Sequence, residues 1–351
     1  MTGFSTRAIR ASARAPRVEQ HPTSVPIYQT ATFAAEDADE LDAVLLGSRA
    51  GYAYSRLDNP TTTALADAIA ELEGAEAAHV FGSGMAAIHA SLVSLAKTGD
   101  RIVASNAVYG STQSLLVNVL GRLGIRTDFV DATDHDAVAA ALAASPARIL
   151  YAETLSNPTM VVADHAALAG LAHRHGAAYV VDNTFASPYV CRPLEHGADL
   201  VVESATKYIG GHSDVLAGTV AGDPRLIAEV RRVQIDTGAA LAPLAAFLVL
   251  RGLATLGVRL DRHAATSTAL AGWLERQDGV HQVRHPQLPS HPGRDIVERQ
   301  FHAASGMFEF ELEGGRVAAR AFMDALRIPT RTASLGSIHT MVVHPPSTTH
   351  R

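Results

Sequence analysis

One cysteine, Cys191, stands among 351 residues, so no internal disulfide can form and the composition fits a reducing cytoplasm. No histidine flanks it in a Cys–His signature, and it reads as a buried structural thiol. Basic residues are outnumbered, 29 Lys and Arg against 35 Asp and Glu, for a net charge of −6. Without a basic stripe, nucleic acid is not an expected partner. No apolar run reaches the ~18 residues that suggest a membrane span; Ala239 to Leu250 is apolar but short, and is expected to be a buried helix. Arg7, Arg10, Arg14 and Arg17 lack a cleavable apolar core and are soon followed by Glu19, which favours a solvated arm over a transit peptide. There are 17 histidines but no H-E-x-x-H and no Cys–His zinc spacing, so no metal is expected. His173 and His175 fall on a polar helix end, and His339 and His344 flank Met341 and Val343 on an expected strand.

What the chain has is apolar substance, 47% of its residues, enough for a large core in one or two domains. Residues 1–55 show no sustained period, and Pro16, Pro22 and Pro26 interrupt them; such a segment needs another surface to order it. From Pro60, Leu65, Ala68, Ile69 and Leu72 follow a helical period that Gly74 stops. Strands are expected at 77–81, 101–105, 128–130 and 148–152, then at the runs ending in Asp182 and before Lys207. Helices are expected between them at 85–96, 112–123, 138–144 and 166–175. This alternation predicts an α/β layer with a mostly parallel sheet. A long helical stretch after Arg225 leads to strands at 280–283 and 307–312 and a helix at 317–326, read as a smaller α+β domain beginning near residue 235.

Parallel strands carry ligands beyond their carboxyl ends. There fall Gly82-Ser83-Gly84, Ser105-Asn106, Glu153-Thr154, Asp182 and Ser204 to Lys207. A lysine and a buried-type aspartate at the ends of two strands are the two groups pyridoxal phosphate (PLP) needs, one for covalent attachment and one for the pyridinium nitrogen. Other signals are open on spacing alone. Gly82-Ser83-Gly84-Met85 is either a tight turn or a phosphate loop at a helix N-terminus, and with Ala87 it also matches G-x-G-x-x-A. A dinucleotide site would require an acidic residue ending the next strand, which ends in Ser105-Asn106 instead. Arg56 and Tyr54 either clamp a phosphate or merely precede an Asn-capped helix; Tyr109 either covers a pyridine ring or packs as an ordinary tyrosine.

Tyr54-Ser55-Arg56 with Asn59-Pro60-Thr61, Ser83-Gly84-Met85, Glu153-Thr154 with Asn157-Pro158, Val181-Asp182-Asn183-Thr184, Ser204-Ala205-Thr206-Lys207-Tyr208 and Ser334-Leu335-Gly336 together resemble the Cys/Met-metabolism PLP enzymes. That family includes cystathionine γ-synthase, cystathionine γ-lyase, methionine γ-lyase and the O-acylhomoserine sulfhydrylases. The resemblance implies PLP fold type I, aspartate aminotransferase-like, with an N-terminal arm (1–55) on a neighbouring subunit, a PLP-binding α/β domain (56–235) and a C-terminal α+β domain (236–351). It implies that Lys207 holds PLP and moves protons, that Asp182 keeps the ring nitrogen protonated, and that Gly84, Met85, Ser204 and Thr206 bind the phosphate. Tyr54 and Arg56 would reach that phosphate from the neighbour, in a homotetramer of active-site-sharing dimers. Tyr109 would stack on the ring and help deprotonate the incoming amine, Asn157 would touch the ring hydroxyl, and Ser334 would lie near the substrate carboxylate.

Two departures accompany the resemblance. His339 stands where members usually carry Glu or another residue, which bears on the side-chain pocket. The family's Arg-Leu-Ser-Val-Gly segment, whose arginine clamps the α-carboxylate, has no counterpart up to Arg351. The expected activity is γ-elimination or γ-replacement on cystathionine, methionine or O-acylhomoserine in the cytoplasm, with an amino acid as the small-molecule partner. The alternatives are an O-acylhomoserine sulfhydrylase, or an impaired homologue serving as a binding or assembly partner.

Overall fold

The computed structural model describes residues 3–12 and 22–347; Arg14, Arg17, Glu19 and residues 348–351 lie outside these. Seven strands form one sheet: β1 (Ala77–Phe81), β2 (Arg101–Ser105), β3 (Arg126–Val130), β4 (Ile149–Glu153), β5 (Ala178–Asp182), β6 (Leu200–Glu203) and β7 (Gly218–Gly222). Their spatial order is β1-β7-β6-β5-β4-β2-β3, with β7 antiparallel to both neighbours and every other pair parallel. The mostly parallel sheet expected from the sequence is therefore present. The strand β7 was not anticipated, and it alone joins β1 to the rest.

Helices cover both faces. In chain order they are α1 (Phe4–Ser12), α2 (Ala38–Leu45), α3 (Pro60–Glu73), α4 (Gly84–Leu95), α5 (Gly110–Ser114), α6 (His135–Ala144), α7 (His165–Arg174), α8 (Ser187–Val190), α9 (Pro224–Thr237), α10 (Pro243–Leu253), α11 (Leu256–Leu274), α12 (Arg294–Gln300) and α13 (Gly315–Ala325). On one face Phe81, Ile102, Val180, Val202 and Val220 pack against Ile88 and Leu92 of α4 and Val230 of α9. On the other, Ala221 lies in one cluster with Leu65, Ile69 and Leu72 of α3 and Val249 and Leu253 of α10, while Val103, Leu150 and Val181 meet Leu168 of α7. Neighbouring strand residues point to opposite, equally buried faces, which is why these strands read as continuous apolar runs. Each such Leu, Ile or Val adds about 1.5–3 kcal/mol by leaving water.

Several expected elements differ in detail. Residues 1–55 are not wholly irregular: α1 and α2 lie there, and α1 buries Ala8 and Ala11 in the core cluster of its own chain. The spacing of Phe4, Ala8 and Ala11 on one helical face drives that docking. The helix expected at 112–123 begins as α5, widens to a π-helix over Leu115–Leu120 and ends as a 3-10 turn at Gly121–Leu123. The apolar stretch from Ala239 becomes helical only at Pro243, which sits in the first turn where a missing N–H costs nothing. Beyond α11 lie β8 (Val280–Arg284) paired antiparallel with β9 (Glu309–Leu312), and a two-residue pair, β10 (Thr330–Arg331) with β11 (Met341–Val342). No single described helix is long and apolar enough to cross a membrane; α10 and α11 together pass that test but are bent by 59°.

Candidate active site

Strand β6 ends at Glu203, and the chain turns immediately, so Lys207 stands in a turn rather than on the strand. Lys207 N–H donates to the Ser204 carbonyl at 3.0 Å, and Gly211 N–H donates to the Lys207 carbonyl at 2.8 Å. Thr206 Oγ accepts the Ala217 N–H at 3.1 Å, tying the turn to the approach of β7. The Lys207 amine donates to Ser334 Oγ at 2.9 Å. Burial holds its pKa below the usual lysine value. Ser334 has φ +131°, and Gly336 presses so closely on the lysine turn that a Cβ there would sit 2.5 Å from Tyr208 N. Ser334, expected near a substrate carboxylate, is thus engaged with the lysine itself.

Asp182 ends the neighbouring strand, its Cα paired with Val202. It is buried; its Oδ1 accepts the Thr184 N–H at 2.9 Å and its Oδ2 accepts the Tyr151 hydroxyl at 3.4 Å. Burial raises its pKa, and the Thr184 contacts pull it back only partly. Thr184 Oγ1 also accepts the Ser204 N–H at 2.8 Å, linking the aspartate loop to the lysine turn.

Facing Ser204 is the start of α4. A Cβ at Gly84 would lie 2.6 Å from Ser204 Cβ, so only glycine allows this approach. Ser83 caps the helix, its hydroxyl accepting the Ala86 N–H at 3.2 Å. The Gly84 and Met85 amides find no acceptor among the described residues. Two free amides at a helix N-terminus, beside Ser204 and Thr206, suit a phosphate.

Glu153 was singled out in the sequence only as part of a motif, and the structure gives it a task. It is buried at the end of β4, in register with Asp182. Its Oε1 accepts the Tyr109 N–H at 2.6 Å and its Oε2 accepts the Asn157 N–H at 3.3 Å. One carboxyl group therefore fixes both loops that carry the expected ring-contacting residues. Burial, with Asp182 nearby, drives its pKa well up. A cavity of about 140 Å³ opens beside it, lined by Ser105, Asn106, Asp131, Ser156 and Val162. Sequence alone offered no signal for this role, because the partners are backbone amides.

The residues fit PLP on their own terms. A buried aspartate, with no cation among the causes that shift it, suits a protonated ring nitrogen, and the free α4 amides suit its phosphate. Tyr54 and Arg56 stand apart from this group. Both are exposed; Arg56 stacks 5.5 Å from the Tyr54 ring and donates to the Ile235 carbonyl at 2.8 Å. Neither hydrogen-bonds to Gly84, Met85, Ser204 or Thr206 of its own chain among the described residues. Nor do the described residues hold any group of three or more His, Cys, Asp or Glu able to bind a metal.

A sequence model of the Cys/Met metabolism PLP-dependent enzymes matches residues 5–351. The L-methionine γ-lyase of Pseudomonas putida is 42% identical over all of this chain and 88% of its own length. The O-succinylhomoserine sulfhydrylase of Pseudomonas aeruginosa is 39% identical over 99% of this chain and 85% of its own. Among solved structures, cystathionine γ-synthase of Xanthomonas oryzae pv. oryzae, in complex with aminoacrylate and cysteine, superposes with a TM-score of 0.94 at 36% identity, covering all of this chain and 88% of that one.

Proposed function

The chain belongs to the Cys/Met metabolism PLP-dependent enzymes, and on that premise we propose that it is a γ-lyase or γ-synthase acting on methionine, cystathionine or an O-acylhomoserine. It is a PLP enzyme of sulfur amino-acid metabolism with an amino acid as its small-molecule substrate. The dinucleotide alternative is thereby set aside. The observation that carries the site assignment is the Lys207 amine, half-buried without a counter-ion among the described residues and held by Ser334, beside the end of the strand that carries Asp182.

When bound, PLP supplies an electron sink for negative charge at the substrate α-carbon. The residues would divide the remaining work. Lys207 Nζ would take the α-proton of the substrate and return a proton nearer the side-chain end. Asp182 would keep a proton on the ring nitrogen, Asn157 would face the ring hydroxyl, and Gly84, Met85, Ser204 and Thr206 would hold the phosphate. Tyr109, its backbone fixed by Glu153, would cover the ring and accept a proton from the incoming amine. Ser334 orients Lys207 and lies where a substrate carboxylate would approach.

We also infer a homotetramer of dimers in which Tyr54 and Arg56 complete the neighbour's site. Support comes from their exposure, from α2 burying no residue, and from Leu45 and Leu46 lying open on that arm. The three-part division at residues 55 and 235 and a cytoplasmic location complete the reading, the latter in keeping with the single thiol. The sulfhydrylase reading remains a rival, since the P. aeruginosa relative has nearly the same identity. Turnover assays separate them: 2-oxo acid and ammonia from methionine or cystathionine support the lyase, and thioether formation from O-acylhomoserine and cysteine supports the synthase. Homocysteine formation from an O-acylhomoserine and sulfide alone would favour the sulfhydrylase. Inactivity on all of them would leave the impaired homologue.

A further inference from the structure

The last residue of α3 and the last residue of β6 are both glutamates, Glu73 and Glu203, each 1% exposed. Their carboxyl groups face each other closely enough to hydrogen-bond. Asn183 Nδ2 donates to Glu203 Oε1 at 3.3 Å, but no donor of full geometry reaches Glu73 Oε1, Glu73 Oε2 or Glu203 Oε2 among the described residues. Two ionised carboxylates so placed would repel each other in a dry setting with their lone pairs unmet; a retained proton turns repulsion into a hydrogen bond. Arg192, whose charge acts on Glu73, pairs through its guanidinium with Glu195 at 2.9 Å, and no ion pair joins it to Glu73 or Glu203 among the described residues.

The pair sits where the proposed site is built. Glu203 leads directly into Ser204, Thr206 and Lys207, and Asn183 directly follows Asp182. Asn183 is held in turn, accepting the Thr154 hydroxyl at 2.7 Å and donating to the Cys191 carbonyl at 2.9 Å. We propose that Glu73 and Glu203 form a proton-held carboxyl clamp, and act as positioning residues that seat the Ser204–Lys207 turn against Asp182. The clamp is a property of the fold; its effect on the cofactor rests on the proposed site.

The groups facing the pair are Asp182, Asn183, Cys191, Arg192 and Glu195. Burial pushes Glu73 up to about 8, with Glu195 adding to the rise and Asn183, Glu203 and Arg192 opposing it. Burial also lifts Glu203 well above the carboxyl range, followed by repulsion from Glu73 and Asp182. Folded values above the unfolded 4.5 mean that the clamp's stabilisation is whole below about 4.5 and is lost progressively as pH rises from there through about 8.

The test compares wild type, Glu203→Gln and Glu203→Ala. Thermal unfolding of cofactor-stripped protein is followed from about pH 4 to 10, a range spanning the titration, and PLP affinity is measured near pH 7.5. The wild-type midpoint is expected to fall as pH rises from about 4.5 through about 8, while Glu203→Gln, neutral at that position at every pH, shows a flatter profile. Glu203→Ala is expected to weaken PLP binding ~10-fold, and Glu203→Gln to restore it to within ~3-fold of wild type. A decline from pH 4.5 to 8 in Glu203→Gln equal to wild type, or unchanged PLP affinity in Glu203→Ala, overturns the clamp. Should Glu203→Gln not fold, Glu73→Gln takes its place with the same expected and overturning profiles. If Lys207 proves not to hold PLP, the cofactor reading fails, while the unfolding profiles still decide the clamp.

Discussion

At the residue scale the central fact is an amine with a hydroxyl for a partner and no carboxylate. A half-buried lysine without a counter-ion loses its proton more readily, which is what a nucleophile needs. Lys207→Ala should abolish the visible absorbance of covalently held PLP and lower turnover by ~10³-fold or more. Absorbance retained at wild-type intensity would refute the assignment. Ser334→Ala removes one hydrogen bond from that amine, about 0.5–1.5 kcal/mol, so kcat should fall ~3–10-fold with a smaller change in KM. An unchanged kcat would mean that the serine does not orient the lysine. Glu153→Ala strands the half-buried Tyr109 and Asn157 amides without their acceptor and should cost about 1–3 kcal/mol in all, read as a lowered melting temperature and weaker PLP binding. Glu153→Gln, which keeps an acceptor oxygen, should recover part of that loss.

At the element scale, the legible parts were those with periodic side chains. The α3 pattern of Leu65, Ile69 and Leu72, stopped by Gly74, appears with Gly74 at φ +71° as its left-handed cap. The β5 and β6 runs were visible because both faces of the sheet are covered. Strand β7 was hidden for a physical reason: it begins and ends in glycine. A Cβ at Gly218 would lie 2.2 Å from the Ser83 carbonyl oxygen and one at Gly222 2.4 Å from that of Asp199, so close packing removed the side chains that announce a strand. Helix α1 was masked by its arginines and α2 by its shortness. The roles of Glu73, Glu153 and Glu203 depend on tertiary contacts with no local signature. Gly84→Ala tests the phosphate cradle: the added methyl must displace Ser204, so PLP affinity should drop ~10-fold or more with little change in unfolded-state properties. Equal affinity would remove α4 from the site.

At the scale of the whole molecule, the proposed sharing of sites predicts complementation. Arg56→Ala and Lys207→Ala proteins, each inactive alone, should regain about a quarter of wild-type activity when unfolded together and refolded as mixed dimers, because half the dimers carry one intact site of two. No recovery would place Arg56 in the site of its own chain or outside any site. The contact of Gly336 with the Lys207–Tyr208 backbone has a consequence for biogenesis. During synthesis the sheet and its lysine emerge well before residue 336 leaves the ribosome. The nascent protein therefore carries an unseated amine while the 129 residues that follow it up to Gly336 (336 − 207) are made, and at the proposed site capture of the vitamin-derived group would wait until that glycine has docked.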